Sequence, residues 1–204
     1  VYFSCLHPKT YGFLIAGRIL KIWLPIIVMF NVYQEPKVIE KFLTYEQCEY
    51  IISSSRKHLK PSLVNIGNID KTVRKSECTY FYDTDIINHI NNNCTKVLKK
   101  GRYMAEDLQI VYYDKGGFYL PHLDSIPSLH ENKRLYTFII ALNDNYEGGE
   151  THFPNLKKSF KLRRGDALFF NNYNTNSSTT GLSLHGGKEV LKGEKWIANL
   201  WIRE

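Results

Sequence analysis

His122 and Asp124 stand two residues apart in the segment YLPHLDS, residues 119–125. In a β-strand, residues two apart point to the same face. An imidazole and a carboxylate placed that way are two of the three ligands that hold non-haem Fe(II) with positions left open. The same short pattern also arises by chance in surface turns. Its meaning depends on what the rest of the chain supplies: a third ligand, an anchor for a co-substrate, and a scaffold that brings them together.

The third ligand has to come from a distant strand, and the candidates are His130, His152 and His185. His130 sits in the polar segment SIPSLHENKR, too near in sequence to reach in from an opposing strand. His152 follows Asp124 closely, leaving room for about three strands, fewer than a jelly roll needs to cross and return. His185 lies far enough on for the return, and Gly186-Gly187 behind it allows a tight backbone path. His185 is therefore the predicted ligand, and His152 an ordinary strand residue beside Glu150 and Thr151.

An oxygenase with such a centre needs a two-electron donor, commonly a 2-oxo acid, whose far carboxylate needs a buried cation. Lys195 opens the apolar run KWIANLWI, an unusual place for a lysine because an unpaired buried cation is costly. A bound dicarboxylate would answer that cost; a lysine snorkelling from a strand end is the plainer alternative. The spacing predicts a turn at Lys192-Gly193-Glu194 and a hairpin that returns Lys195 beside the preceding strand.

The elements that must position these residues change character along the chain. Residues 36–60 read as a strand running into a helix, with Thr44 and Gln47 spaced as a capping box. Residues 84–105 read as a second helix, capped by Asp83, Thr84 or Asp85, with Ile86, Ile87, Ile90, Cys94, Val97 and Leu98 at helical spacing. From residue 108 onward, short β-branched and aromatic runs alternate with Gly-, Asn- and Asp-rich turns. That is the pattern of a sandwich or jelly roll. The expected class is mainly β with flanking helices (α+β), around a double-stranded β-helix core. NNYNTNSSTT, residues 171–180, reads as a mobile polar loop.

With 204 residues the chain has the length of one domain with a sizeable core. The formal charge of +7 favours acidic partners or simply a solvated basic surface. No basic run carries the interleaved aromatics of a nucleic-acid motif, so no nucleic-acid partner is expected. Cys5, Cys48, Cys78 and Cys94 form no C-x-x-C pair, which argues against a zinc ribbon; disulfides and free thiols both remain open. Residues 13–30 are apolar but interrupted by Arg18, Lys21 and Pro25. They read either as a membrane-anchor remnant, the one expected route to membrane contact, or as two short core strands. Residues 1–35 thus form an N-terminal hydrophobic segment ahead of a domain spanning 36–204. Secretory pathway and cytoplasm are both open as locations.

Taken together, these segments resemble the catalytic domain of the prolyl 4-hydroxylases, within the Fe(II)/2-oxoglutarate-dependent dioxygenases. LQIVYYDKGGFYLPHLDS, RLYTFIIALNDNYEGGETHFP, RRGDALFF and SLHGGKEVLKGEKWIANLWI carry the likeness, and PKVIEKFLTYEQCEYIISSS and VRKSECTYF extend it to about residue 36. The resemblance implies His122, Asp124 and His185 on iron. It implies Lys195 and Tyr113 on the distal carboxylate of 2-oxoglutarate, with Thr137 lining that pocket. It implies Glu106, Tyr119, Arg134 and Trp201 around a peptidyl proline, in a proline-rich or collagen-like substrate hydroxylated to 4-hydroxyproline with ascorbate maintaining the iron. Two features depart from the family. Arg203 stands where some members have a histidine near the substrate, and the segment between FPN and RRGD is short. A same-fold dioxygenase acting on another residue or a nucleobase, a non-catalytic binding module, and a metalloenzyme without 2-oxoglutarate are the rival readings.

Overall fold

Alternation along one strand organises the whole fold. In Lys195–Arg203, Trp196, Ala198, Leu200 and Ile202 pack into one buried cluster, while Ile197 packs into another on the opposite face. The computed structural model describes residues 32–64, 68–99, 103–125 and 133–203. The apolar stretch 13–30, Cys5 and His130 lie outside these residues.

In chain order the strands begin with β1 (Lys37–Ile39), β2 (Lys60–Pro61), β3 (Arg74–Lys75), β4 (Glu77–Phe81) and β5 (Met104–Ala105). They continue with β6 (Leu108–Tyr113), β7 (Phe118–His122), β8 (Arg134–Ala141), β9 (Glu147–Gly148) and β10 (Thr151–Phe153). The last are β11 (Lys158–Phe160), β12 (Ala167–Asn171), β13 (His185–Gly187), β14 (Val190–Lys192) and β15 (Lys195–Arg203). The major sheet runs β1-β12-β8-β15-β6-β4-β2, with β5 also on β15. The minor sheet runs β11-β10-β13-β7-β3, and β14 pairs with β9. Two facing sheets joined by crossing connections are the expected jelly roll.

The convex face of the major sheet is covered by α1 (Tyr45–Ser55) and α2 (Thr84–Leu98). The capping box forms: Thr44 Oγ1 accepts from Gln47 N at 3.2 Å, and Thr44 N donates to Gln47 Oε1 at 2.9 Å. Such a cap is worth about 1 kcal/mol. It starts a helix whose Cys48, Ile51 and Ile52 face the core beside Phe138 and Trp196. Asp83 caps α2 through Ile86 N at 3.0 Å. Cys48, Cys78 and Cys94 are free thiols.

Three expectations need correction. The second helix stops at Leu98 rather than 105, because Lys99 adopts a left-handed backbone (φ 53°) that ends the helical hydrogen-bond series. Met104–Ala105 then pairs with β15. Residues 171–180 begin inside β12, and Asn172 and Tyr173 are buried. The remainder folds back on itself through a Tyr173–Thr179 bridge and an Asn174 N to Ser178 O bond of 3.0 Å. Finally, Lys192-Gly193-Glu194 is not a hairpin. The chain crosses from β14, which pairs with β9, to β15, which pairs with β6 and β8. Among the described residues no helix is long and apolar enough to cross a membrane.

Candidate active site

Antiparallel pairing of β13 with β7 puts His185 directly opposite His122, with ring centroids 4.5 Å apart. Asp124 follows β7 and turns its carboxylate to both: Oδ1 is 3.6 Å from His122 Nε2, and Oδ2 is 3.7 Å from His185 Nε2. One ligand atom from each of the three lies within 4.8 Å of the others. Both rings are held from behind by the carbonyl two residues earlier. His122 Nδ1 meets Leu120 O at 3.0 Å and His185 Nδ1 meets Ser183 O at 2.9 Å. A carbonyl only accepts, so each Nδ1 carries the hydrogen and each Nε2 presents its lone pair to the centre. His152, as expected, is not part of this group; its Nδ1 contacts Gly186 O at 3.2 Å.

The electrostatics suit a cation. Burial pushes His185 down to about 4, against the pull of Asp124, so the imidazole is neutral at neutral pH. Burial alone would raise Asp124, but His185 and His122 hold it below the usual carboxylate range. Two lone pairs and an anion thus converge with no hydrogen between them, a donor set that fits a ferrous ion.

A buried relay braces these ligands. Thr137 Oγ1 donates to Asp124 Oδ2 at 2.8 Å, and the fully buried Asn172 donates through Nδ2 to Thr137 Oγ1 at 3.0 Å. Ser183 Oγ reaches Asn172 O at 3.5 Å, and Ser183 O is the carbonyl that orients His185. Thr137 was expected to line the co-substrate pocket. Its side chain does line the cleft, but its hydroxyl is committed to Asp124.

Lys195 is 4% exposed, and its Nζ donates to Gly149 O at 2.8 Å. Among the described residues no carboxylate forms an ion pair with it. Burial, helped by Lys161 and opposed by Glu150, pushes the ammonium down to about 8. Tyr113, buried and directly opposite Lys195 in the β6–β15 register, stands beside it. A Cβ placed on Gly187 would lie 4.0 Å from both Lys195 Nζ and Tyr113 Oη, so that space is bounded by glycine, ammonium and phenol. This is a fitting seat for the distal carboxylate of 2-oxoglutarate. Gly149, at φ +66°, supplies the carbonyl that anchors Lys195, and a Cβ there would press Lys195 Cδ at 3.2 Å. Thr151 lines the same cleft, a position the sequence reading did not single out.

The mouth is aromatic and basic. Tyr119 stacks on His122 with centroids 3.7 Å apart. Arg134 lies 4.0 Å over the Trp201 ring and holds Glu106 in two bonds of 2.5 and 2.6 Å. Arg203 adds a third contact to Glu106 at 2.8 Å. The indole Nε1 of Trp201 is buried, and the indole helps to hold the Asp124 carboxylate low. Tyr119, Arg134 and Trp201 share with the triad one cleft of about 1470 Å³, whereas Glu106 stands behind its wall and fixes Arg134. Arg74, also unanticipated, lies 4.6 Å over Tyr119 because β3 pairs Arg74 with it. A lone arginine in an irregular stretch gave no periodic signal.

Comparison with known proteins agrees with this geometry. Residues 108–203 match the model of the 2OG-Fe(II) oxygenase superfamily. A protein of Acanthamoeba polyphaga mimivirus that carries a prolyl 4-hydroxylase name is 34% identical over 183 residues, covering 84% of this chain and 75% of the relative. Prolyl 4-hydroxylase 13 of Arabidopsis thaliana is 30% identical over 188 residues, covering 80% and 69%. The crystal structure of the viral collagen prolyl hydroxylase of Paramecium bursaria Chlorella virus-1 with 2OG superposes with a TM-score of 0.71 at 30% identity, covering 83% of this chain and 96% of that one. A buried two-histidine, one-carboxylate centre beside a lone ammonium, on a jelly roll matched over this much of its length, makes the chain a member of the prolyl 4-hydroxylase family of Fe(II)- and 2-oxoglutarate-dependent dioxygenases.

Proposed function

We propose that the chain hydroxylates C4 of prolyl residues in proline-rich or collagen-like polypeptides, consuming 2-oxoglutarate and O2 and releasing succinate and CO2. The reading rests on one observation above the rest: the buried, carboxylate-free Lys195 ammonium sits in the same cleft as His122, Asp124 and His185. We assign the activity to residues 36–204, within the compact unit Asn31–Glu204.

His122, Asp124 and His185 would hold the iron. Lys195 and Tyr113 would receive the distal carboxylate of 2-oxoglutarate. Bound there, the iron would activate O2 and 2-oxoglutarate would supply two of the four electrons that reduce it, the other two coming from the C–H bond, so that one oxygen goes to the alcohol and one to succinate. The residues do the rest. Leu120 O and Ser183 O keep each Nε2 free of hydrogen, and Thr137 fixes the rotation of the Asp124 carboxylate. Trp201 offers a flat face and Tyr119 a ring edge to a proline ring, and Arg134, clamped by Glu106, offers hydrogen-bond donors to a peptide carbonyl. A proline-rich chain suits such a cleft because it is already extended and little entropy is lost on docking.

The test is succinate release against a panel of proline-containing peptides with Fe(II), 2-oxoglutarate and ascorbate, coupled to mass analysis. A gain of one oxygen on proline, matched by succinate, is expected. Turnover confined to nucleic acid or to non-prolyl residues would overturn the reading.

A further inference from the structure

The cleft does not end at the triad. It continues across the concave face of the major sheet to the short 3-10 helix Arg56–His58 and β2, where Lys57 and Lys60 reach its wall. The sheet register shows why. Lys60 pairs with Cys78 and Cys78 with Val111, so Lys60 shares the concave face with Val111 and Ile197. In the next row, Tyr80 pairs with Gln109 and Gln109 with Asn199. On neighbouring positions of that face Val111, Ile139 and Ile197 pack an apolar core. Here the sheet instead presents a tyrosine 48% exposed, an amide pair joined at 3.4 Å, and an Asn199 Oδ1 buried without a donor. That is a trough with a partly polar floor.

Its charge says more. Among the described residues, the cleft wall carries Lys57, Lys60, Arg74, Arg134 and Lys195 against a single carboxylate, that of Asp124. Arg134 is paired with Glu106, and Lys195 faces the co-substrate space. Lys57 and Lys60 have no ion pair among the described residues, and both side chains are exposed. Glu77, the carboxylate nearest in sequence on β4, alternates to the other face of the sheet, opposite Tyr112.

Building on the peptide-hydroxylation reading, we infer that this trough binds the flank of the polypeptide substrate, and that Lys57 and Lys60 select acidic residues in that flank. The backbone of the flank lies over Tyr80 and the rim of the Gln109–Asn199 pair. The distance sets the position of the acidic residues. β2 is three strands from β15, about 14 Å at the usual strand spacing. An extended polyproline-type chain covers that in about five residues. The acidic residues therefore stand about four to six residues from the target proline, on one side of it.

The experiment uses full-length protein and fluorescent single-proline peptides with neutral flanks. Paired glutamates or paired lysines are placed five residues before or after the proline. Binding is read by anisotropy, independently of turnover, and KM and kcat are read by succinate release. On one side only, glutamates should tighten binding and lower KM about five- to tenfold relative to lysines, the yield of two screened charge pairs. The preference should shrink with added salt, and Lys57→Glu/Lys60→Glu should reverse it. Charge-blind binding on both sides, or a preference that survives the double reversal, would overturn the inference. If the peptides bind with the stated preference but no proline is hydroxylated, the tract stands and the catalytic reading falls.

Discussion

The hydroxyl of Thr137 donates to the carboxylate of Asp124 at 2.8 Å, and Asn172 donates to that hydroxyl in turn. The rotation of the carboxylate is therefore fixed by two buried residues that are not themselves candidate metal ligands. Thr137→Val should weaken binding of Co(II), a spectroscopic stand-in for Fe(II), by roughly tenfold, the scale on which such outer partners act. Thr137→Ser should restore it. Asn172→Ala should act through the same bond, so the double variant should lose little more than either single one. Titration calorimetry with Co(II) checks this, and independent, additive losses would show that the relay is not a unit.

Lys195 gives the enzyme a pH limb. Burial pushes its ammonium down to about 8, below the ordinary lysine value. Below that pH the ammonium is charged and can receive a carboxylate; above it the charge is lost. The kcat/KM for 2-oxoglutarate should therefore fall about tenfold per unit above pH 8. For stability the sign is opposite. The unfolded lysine holds its proton up to about 10.5, so the contribution of this group to apoprotein stability should rise between pH 8 and that value. Lys195→Arg, which cannot deprotonate, should abolish the kinetic limb. A pH profile of succinate release identical in wild type and variant would contradict the assignment.

Two adjacent glycines should behave differently. A Cβ on Gly186 would meet Tyr119 O at 2.8 Å and Pro121 N at 3.0 Å, both backbone atoms of the strand that carries His122. Gly186→Ala should force β7 from β13, destabilising the fold by about 1–3 kcal/mol and weakening metal binding. Gly187→Val should leave the metal site alone, because the space beyond Gly187 opens toward Lys195 and Tyr113. It should raise KM for 2-oxoglutarate about tenfold, the effect of losing one good charged hydrogen bond. Thermal melts and KM values for both variants decide the matter.

Glu106 should act on the peptide alone. It holds Arg134 against Trp201 from behind the cleft wall. Glu106→Gln should raise peptide KM about tenfold through a misplaced Arg134, with KM for 2-oxoglutarate unchanged. A change in both constants would place Glu106 in the co-substrate site.

Much of the site was readable from the sequence because β-structure has so simple a period. His122 and Asp124 stand out by their spacing, although β7 ends at His122 and Asp124 lies in the bend that follows, so strand alternation does not place the carboxylate; His185 stands out by the chain length a jelly roll needs before it returns. Lys195 stood out as a charge in an apolar strand, yet the hairpin expected to place it does not exist. Turn residues at Lys192-Gly193-Glu194 say that the chain bends, not which sheet it joins next. Asn172 was hidden inside a run of polar letters that composition alone cannot divide into buried strand end and surface loop. Arg74 and Thr151 depend on pairings between distant strands, which leave no local signature. Helix α2 ran short because one lysine adopts a left-handed backbone that its side chain does not advertise.

In the proposed site one ferrous ion and one 2-oxoglutarate meet at His122, Asp124, His185 and Lys195. The direct measurement is anaerobic titration of the protein with Fe(II) and 2-oxoglutarate, followed by visible absorption. A charge-transfer band saturating at one of each per chain, absent without either component and lost in Asp124→Ala and His185→Ala, is the predicted result. A band that persists in those variants, or iron that binds at another site while the triad variants retain it, would contradict the account.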